Sequence, residues 1–390
     1  MKIKYFKIGN FKSFTTTNNK VGDASDINFI YGDNNTGKSN ILKFLNLIFS
    51  SKFERETISV AADSQTRDVE GNFYEGIISN EPYIYHKNKR GIKITFEFLI
   101  NISKAELVDS QYEFYENLEK EYFNNANTDL NIKFIGQIYS LDNQATSYIE
   151  LISASIDGHE AYNFDGKDRI YFRGKKTLND NGRAFSKLMS YFNNCVNYID
   201  NNRYFGNEEF VVSNEGLSPE NYKNWLYNYS LNPYSFDEYQ NLLSFIRSFK
   251  IGKLIDIENL DLSFSLDSYN NLELMLNKGA DRLPITSFGT GINQILYILT
   301  KIYISKSKIL VIEELELNLS PKTQKEIFRI CRELIAQNVI TQVFFTSHSS
   351  FFNFRNDFSI YEVSIDNAKV SSITKKAGIS GAFWLRRITD

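Results

Sequence analysis

The sequence predicts an α/β fold built on a parallel sheet, and three observations predict it. A glycine-rich turn, Gly32-Asp33-Asn34-Asn35-Thr36-Gly37-Lys38-Ser39, stands between an apolar strand and a helical pattern. A short, nearly all-apolar run, Lys308-Ile309-Leu310-Val311-Ile312, ends in two adjacent acids, Glu313 and Glu314. A third run, Thr341-Gln342-Val343-Phe344-Phe345, ends in Thr346, Ser347 and His348. Runs this apolar suit strands buried on both faces of a parallel sheet. Open α/β sheets place their ligand sites beyond the carboxyl ends of such strands.

The glycine-rich turn fits G-x-x-x-x-G-K-[ST]. It follows Ile27-Asn28-Phe29-Ile30-Tyr31 and precedes Ile41, Leu42, Phe44, Leu45, Ile48 and Phe49 at helical spacing. Strand, turn, helix is the context in which backbone N–H groups close around phosphates, and the helix N-terminus adds its positive dipole end. The expected nucleotide contacts are Gly32, Asn34, Asn35, Thr36, Gly37, Lys38, Ser39 and Asn40. Lys38 is expected to reach the β- and γ-phosphates, and the Ser39 hydroxyl to coordinate Mg2+. A chance match in a polar turn would lack those flanking elements.

The acid pair can divide its work. Glu313 can hold a Mg2+-bound water while Glu314 polarises the water that attacks the γ-phosphate. Surface acids have no reason to follow so apolar a run. His348 ends its strand in the same register as the acids and is expected to sense the γ-phosphate, although a lone His is more often structural. Between these elements, Ser287-Phe288-Gly289-Thr290-Gly291-Ile292-Asn293-Gln294 runs into a helical pattern, Ile295, Leu296, Ile298, Leu299 and Ile302. A small-residue turn at a helix N-terminus is a second anion cradle. One nucleotide does not easily fill two cradles of one chain, whereas two copies packed head to tail pair them. Ser287, Gly289, Thr290 and Gly291 are its expected contacts, with either Ser287 or Thr290 supplying the hydroxyl.

Phosphate loop, small-residue signature turn, paired acids and switch His, in that chain order, resemble an ABC-type ATPase head. Within that class the chain resembles the SMC/RecF branch and the ATPases of overcoming-lysogenization-defect (OLD) nucleases. The opening Ile8-Gly9-Asn10-Phe11-Lys12-Ser13-Phe14 is similar to that branch's "NFKSF" first strand, and the signature has its G-[ST]-G-I form. Leu315-Glu316-Leu317-Asn318-Leu319-Ser320-Pro321 resembles its E-P-E-x-H-L-H-P pattern. Glu313 stands where many relatives have Asp, Leu315 replaces the Pro, and Asn318 and Ser320 replace the two His. The resemblance implies an ATP- and Mg2+-dependent hydrolase with a homodimeric ATP sandwich. A Gln metal sensor is implied too, with Gln65, Gln111 and Gln137 all open. Only about forty residues follow His348, fewer than the TOPRIM nuclease domain of OLD-type relatives needs. The layout resembles the ATPase subunit of two-gene antiphage systems such as PARIS, whose nuclease is a separate chain. A nuclease effector and a phage trigger protein are the partners that resemblance implies. A RecF-like DNA-repair ATPase is the alternative.

The expected organisation is an N-terminal ATPase lobe over 1–100, a compact α+β insert over 101–195 and a C-terminal ATPase lobe over 196–390. The signature turn follows Lys38 by about 250 residues, so something is inserted into the head. Residues 91–100 alternate and read as an edge strand, 131–139, 147–156 and 169–173 as strands, 103–126 and 183–198 as helical, and 219–250 as two helices. No sustained heptads suggest a long coiled coil. Ser320 and Pro321 read as cap and first turn of a helix whose stripe includes Cys331. Two cysteines do not make a disulfide framework or zinc site. No secretory core segment or membrane-length apolar run is present, so a cytoplasmic chain without a membrane partner is expected. The net charge of −3 and pI of about 5.9 argue against a dedicated nucleic-acid binder. The clusters at 86–90 and 167–176 either touch phosphates or, more simply, are solvated loops, and Phe383-Trp384-Leu385-Arg386-Arg387 is either a docking peptide or core.

Overall fold

A computed structural model describes residues 1–15, 19–50, 54–62, 65–79, 92–103, 106, 129–140, 147–163, 191–192, 195–201, 203, 205, 208–211, 216–254, 261–278, 281–347 and 358–376. The chain begins with β1 (Lys2–Gly9), β2 (Lys20–Val21), β3 (Ile27–Tyr31) and α1 (Lys38–Ser50). Then come β4 (Glu54–Ala62), β5 (Gln65–Ser79), β6 (Ile94–Ser103), β7 (Asp129–Ser140), β8 (Ser147–Ile156) and β9 (His159–Asn163). After β10 (Val196–Ile199) follow α2 (Tyr222–Leu231), α3 (Phe236–Ser248), β11 (Leu262–Leu266), β12 (Leu272–Lys278) and β13 (Asp281–Pro284). The last elements are α4 (Thr290–Ser305), β14 (Ile309–Ile312), α5 (Pro321–Ala336), β15 (Gln342–Thr346), β16 (Phe358–Ile365) and β17 (Ser371–Lys376).

Two compact units result. The first comprises Met1–Val196, Thr341–Thr346 and Phe354–Asp390, the second Asn197–Ile340 and Ser347–Asn353. In the first unit an antiparallel sheet runs β2-β1-β6-β7-β8-β5-β4, with β9 on β8. A second layer is parallel at its centre, β3 lying between β15 and β16, and closes with antiparallel β17. Every residue of β3 and β15 is buried, as a strand covered on both faces requires. α1 turns Ile41, Leu42, Phe44, Leu45, Ile48 and Phe49 inward, the helical spacing putting them on one face. There Phe44 stacks on Phe98 at 6.0 Å, Phe98 on Phe134 at 5.1 Å and Phe6 on Phe98 at 5.5 Å. Buried Gln342 is satisfied by Ile3, accepting from its N–H and donating to its carbonyl, each at 2.9 Å.

In the second unit β14 neighbours β10, and β11-β12-β13 form an antiparallel sheet. α3 packs on both α2 and α4, and α5 on α4. α5 starts as its residues dictate: Ser320 Oγ accepts from the Thr323 N–H at 3.2 Å and Pro321 opens the first turn. Cys331 lies on its buried face, where burial pushes the thiol pKa up to about 12.

Three sequence expectations are corrected. β6, expected at an edge, is interior, hydrogen-bonded to β1 on one side and β7 on the other. Alternation reports which faces a strand shows, not how many neighbours it has. Residues 196–198, the end of the span expected to be helical, lie in strand β10. The third concerns organisation: β7, β8 and β9, inside the span expected as an insert, pair into the sheet of β1, and β15–β17 belong to the first unit rather than with the rest of 196–390. Strand pairing groups residues by backbone hydrogen bonds, which sequence proximity does not reveal. Among the described residues no helix exceeds 16 residues, and none is long and apolar enough to cross a membrane.

Candidate functional site

The glycine-rich turn leaves β3 and enters α1, and its backbone is tightly specified. A Cβ on Gly32 would sit 2.2 Å from the Val363 carbonyl oxygen and 2.9 Å from Thr36 Oγ1. Gly37 has φ +102°, and a Cβ there would lie 2.5 Å from Ser13 Oγ and 2.8 Å from Ser371 Oγ. Asn35 takes a left-handed φ of +62°. Thr36 Oγ1 donates to the Asp33 carbonyl at 2.9 Å. Lys38 is buried, and its ammonium donates to the carbonyls of Gly32 at 3.0 Å and Asp33 at 2.6 Å. Asn34 and Asn35 are exposed, while Gly37, Ser39 and Asn40 are half-buried at the start of α1. The Asn40 side chain is held by Ser13, donating to its Oγ at 3.0 Å. Ser371 supports the loop from behind: its Oγ donates to the Thr36 carbonyl at 2.5 Å and its N–H to the Ser13 carbonyl at 2.8 Å.

In the second unit β14 delivers the acid pair. Glu313 is 1% exposed, and its Oε2 accepts from the Tyr198 hydroxyl at 2.6 Å. Its N–H donates to the Ile199 carbonyl at 2.9 Å, which puts β10 alongside. Glu314 is half-buried and has φ +46°, an uncommon conformation for a non-glycine residue. The buried Arg203 donates to both backbones, to the Glu313 carbonyl at 3.0 Å and the Glu314 carbonyl at 2.6 Å. Burial, then the hydrogen bond to Glu313, raises the Tyr198 hydroxyl's pKa, so it stays a donor. Burial lowers the Arg203 pKa, against the opposing pull of Glu316, Asp200, Glu314 and Glu313.

The signature turn is more open. Ile285–Phe288 form a 3-10 turn, Gly289 follows with φ +85°, and α4 begins at Thr290. A Cβ on Gly289 would meet nothing within 4 Å. Ser287, Gly289 and Thr290 are exposed. The structure joins this turn to the loop after the acids: Thr290 Oγ1 donates to the Asn318 carbonyl at 3.2 Å, and Gln294 Nε2 to the Leu317 carbonyl at 3.2 Å. A Cβ on Gly291 would come within 2.9 Å of Thr323 Cγ2, so close helix packing requires the glycine.

A family model described as the AAA ATPase domain matches residues 1–352. The chain belongs to that family. It is an ATPase with the α/β architecture of a P-loop ATPase head. No curated protein matches it. Among solved structures it is similar to the SmcHead bound to the C-winged helix domain of ScpA, at 13% identity and TM-score 0.49, covering 96% of this chain and 98% of that one. It is also similar to the SMC head domain from Thermotoga maritima, at 14% identity and TM-score 0.45, covering 96% and 99%. A third is the Smc head domain with an extended coiled coil bound to the C-terminal domain of ScpA from Pyrococcus furiosus, at 11% identity and TM-score 0.42, covering 100% and 99%. The family assignment rests on the family match alone.

The residues of this AAA ATPase domain suit a nucleoside triphosphate. Both loop glycines stand where a side chain would collide, and the buried ammonium already binds oxygen atoms of the loop. Mg2+ is usually held by one or two protein groups plus substrate phosphates. Ser39, in the first unit, and Glu313, in the second, are each groups of that kind. The phosphate loop belongs to the first unit, the acid pair and signature turn to the second. His348 and Gln111 lie outside the described residues, as do 86–90, 167–176 and 383–387, while Gln65 is described by its backbone alone. Gln137 sits on β7, opposite Thr95 and Glu150. Sequence reasoning missed Ser371, Tyr198 and Arg203. Each is a single residue far from the motif it supports, and no local pattern marks it.

Proposed function

We propose that this ATPase is a nucleotide-gated switch in which two copies close head to tail around ATP. Lys38 and Ser39 of one copy, with His348, read the γ-phosphate, and the Ser287–Gly291 turn of the other copy completes the cradle. Glu314 polarises the attacking water, while Ser39, with Glu313 through a bound water, would hold Mg2+, and the ion would supply neutralisation of phosphate charge. The observation that carries this reading is the second cradle. Gly289 opens at a helix N-terminus with free space around it, and the turn is tied through Thr290 and Gln294 to the loop that follows Glu314. Binding at the turn is thereby linked to the hydrolytic acid.

In the cell we assign this switch to antiphage defence, controlling a separate nuclease effector in answer to a phage-encoded trigger. The support is the motif order and the resemblance to the PARIS ATPase layout. The deciding experiment is ATP turnover by the purified chain, with and without duplex DNA, beside Lys38→Ala and Glu314→Gln. Basal turnover indifferent to DNA is expected, with nucleotide binding lost in Lys38→Ala. Glu314→Gln should lose turnover yet retain ATP in a closed pair. Unchanged turnover in Glu314→Gln would remove that residue from the chemistry. Strong stimulation by DNA, falling steeply with salt, would replace the switch with a RecF-like DNA-repair ATPase.

A further inference from the structure

We propose that Tyr198 and Arg203 are positioning residues for ATP hydrolysis, Tyr198 orienting the Glu313 carboxylate and Arg203 fixing the backbone that aims Glu314. The proposal rests on the roles given to the two acids above.

The two act through different chemistry. Tyr198 belongs to β10, and the bond from the Glu313 N–H to the Ile199 carbonyl sets it beside the acid. Its hydroxyl meets Glu313 Oε2 at 2.6 Å, the short distance of a hydrogen bond to a charged acceptor. A carboxylate whose Oε2 is held by this bond cannot rotate freely, so the direction of its other oxygen is restricted too. Partners of this kind govern how well a ligand group serves a cation.

Arg203 works on the main chain. In an extended strand successive carbonyls point to opposite sides, and one guanidinium cannot take both. Here φ +46° at Glu314 lies between the two carbonyls and brings them to the same side, where the planar fork holds them at 3.0 and 2.6 Å. A left-handed non-glycine residue is strained and persists only where its surroundings impose it. Arg203, 4% exposed, imposes it together with the Leu317 N–H, which donates to the same Glu314 carbonyl at 3.0 Å. Without the fork the backbone relaxes toward the extended form and the Glu314 side chain is redirected. Lysine keeps the charge but offers a point donor in place of a fork.

The test compares the full-length chain with Tyr198→Phe, Arg203→Lys and Glu314→Gln. Four quantities are read: ATP turnover, affinity for a fluorescent non-hydrolysable ATP analogue, Mn2+ affinity of that complex, and melting temperature. Arg203→Lys should lower kcat about tenfold or more with analogue affinity nearly unchanged. Tyr198→Phe should weaken Mn2+ binding by about tenfold, and raise the Mg2+ needed for half-maximal turnover in proportion. A kcat within about twofold of wild type in Arg203→Lys, or loss of its cooperative melt, overturns the role of Arg203. Unaltered Mn2+ affinity in Tyr198→Phe overturns that of Tyr198. Turnover surviving in Glu314→Gln overturns the underlying assignment of Glu314 instead, which separates the two failures.

Discussion

The phosphate loop and the signature turn are both glycine-bearing turns at the start of a helix, yet they are built in opposite ways. The loop is packed against its own chain. Val363, Ser13 and Ser371 crowd its glycines, and Lys38 binds its carbonyls. The turn has open space at Gly289 and exposed Ser287 and Thr290, and its side-chain bonds from Thr290 and Gln294 run to the neighbouring loop. A turn shaped by its own fold carries its geometry before any ligand arrives. A turn left open takes its final contacts from whatever binds it. Substitutions that add one methyl group, or remove one hydroxyl, measure this difference.

The largest effect is expected at Gly32. An alanine Cβ would fall 2.2 Å from a backbone oxygen of β16, which has no side chain to move aside. Either the strand or the loop must shift, and a loss of about 2–4 kcal/mol is expected with it. Gly32→Ala should therefore melt at lower temperature and fail to bind nucleotide. Wild-type affinity for a fluorescent ATP analogue would show that the loop is more adaptable than its packing implies.

Ser371→Ala should do less. It removes the hydrogen bond to the buried Thr36 carbonyl and leaves that oxygen to find another partner, a cost of about 1–3 kcal/mol. Because the bond supports the loop from behind, nucleotide affinity should drop only severalfold while the chain still folds. Melting temperature and analogue affinity measure both. Affinity equal to wild type would confine Ser371 to holding β17.

What the sequence discloses follows the same division. Requirements of the backbone leave local marks: the glycines around Lys38, the all-apolar runs of β3, β14 and β15, and Ser320-Pro321 at the head of α5 could all be read directly. Requirements met by one distant side chain leave none. Ser371 supports a residue 335 positions away, and Tyr198 and Arg203 act on acids 115 and 110 positions away. A single Ser at the start of β17, a Tyr in β10 or an Arg after it has no periodicity that marks its distant partner. The interior place of β6 was hidden for a related reason, since its second neighbour, β7, lies beyond a stretch with no strand pattern.

The smallest effect on the isolated chain is expected at Gly289. Its φ of +85° with ψ of 161° lies in a region open essentially to glycine and disfavours a side chain by about 1–3 kcal/mol, but no atom lies within reach of the new Cβ, so nothing has to be displaced. Gly289→Ala should fold, melt slightly lower and bind the ATP analogue as wild type does, because Lys38 and its loop are untouched. Turnover should fall, and fall most at protein concentrations where wild-type turnover per chain rises with concentration, since the turn acts on a nucleotide held by another copy. Analogue binding measured at low protein concentration, beside turnover measured across a dilution series, separates the two properties. If Gly289→Ala weakened binding at low concentration as severely as Gly32→Ala, the turn would be serving its own chain's nucleotide, and the head-to-tail pairing would have lost its physical basis.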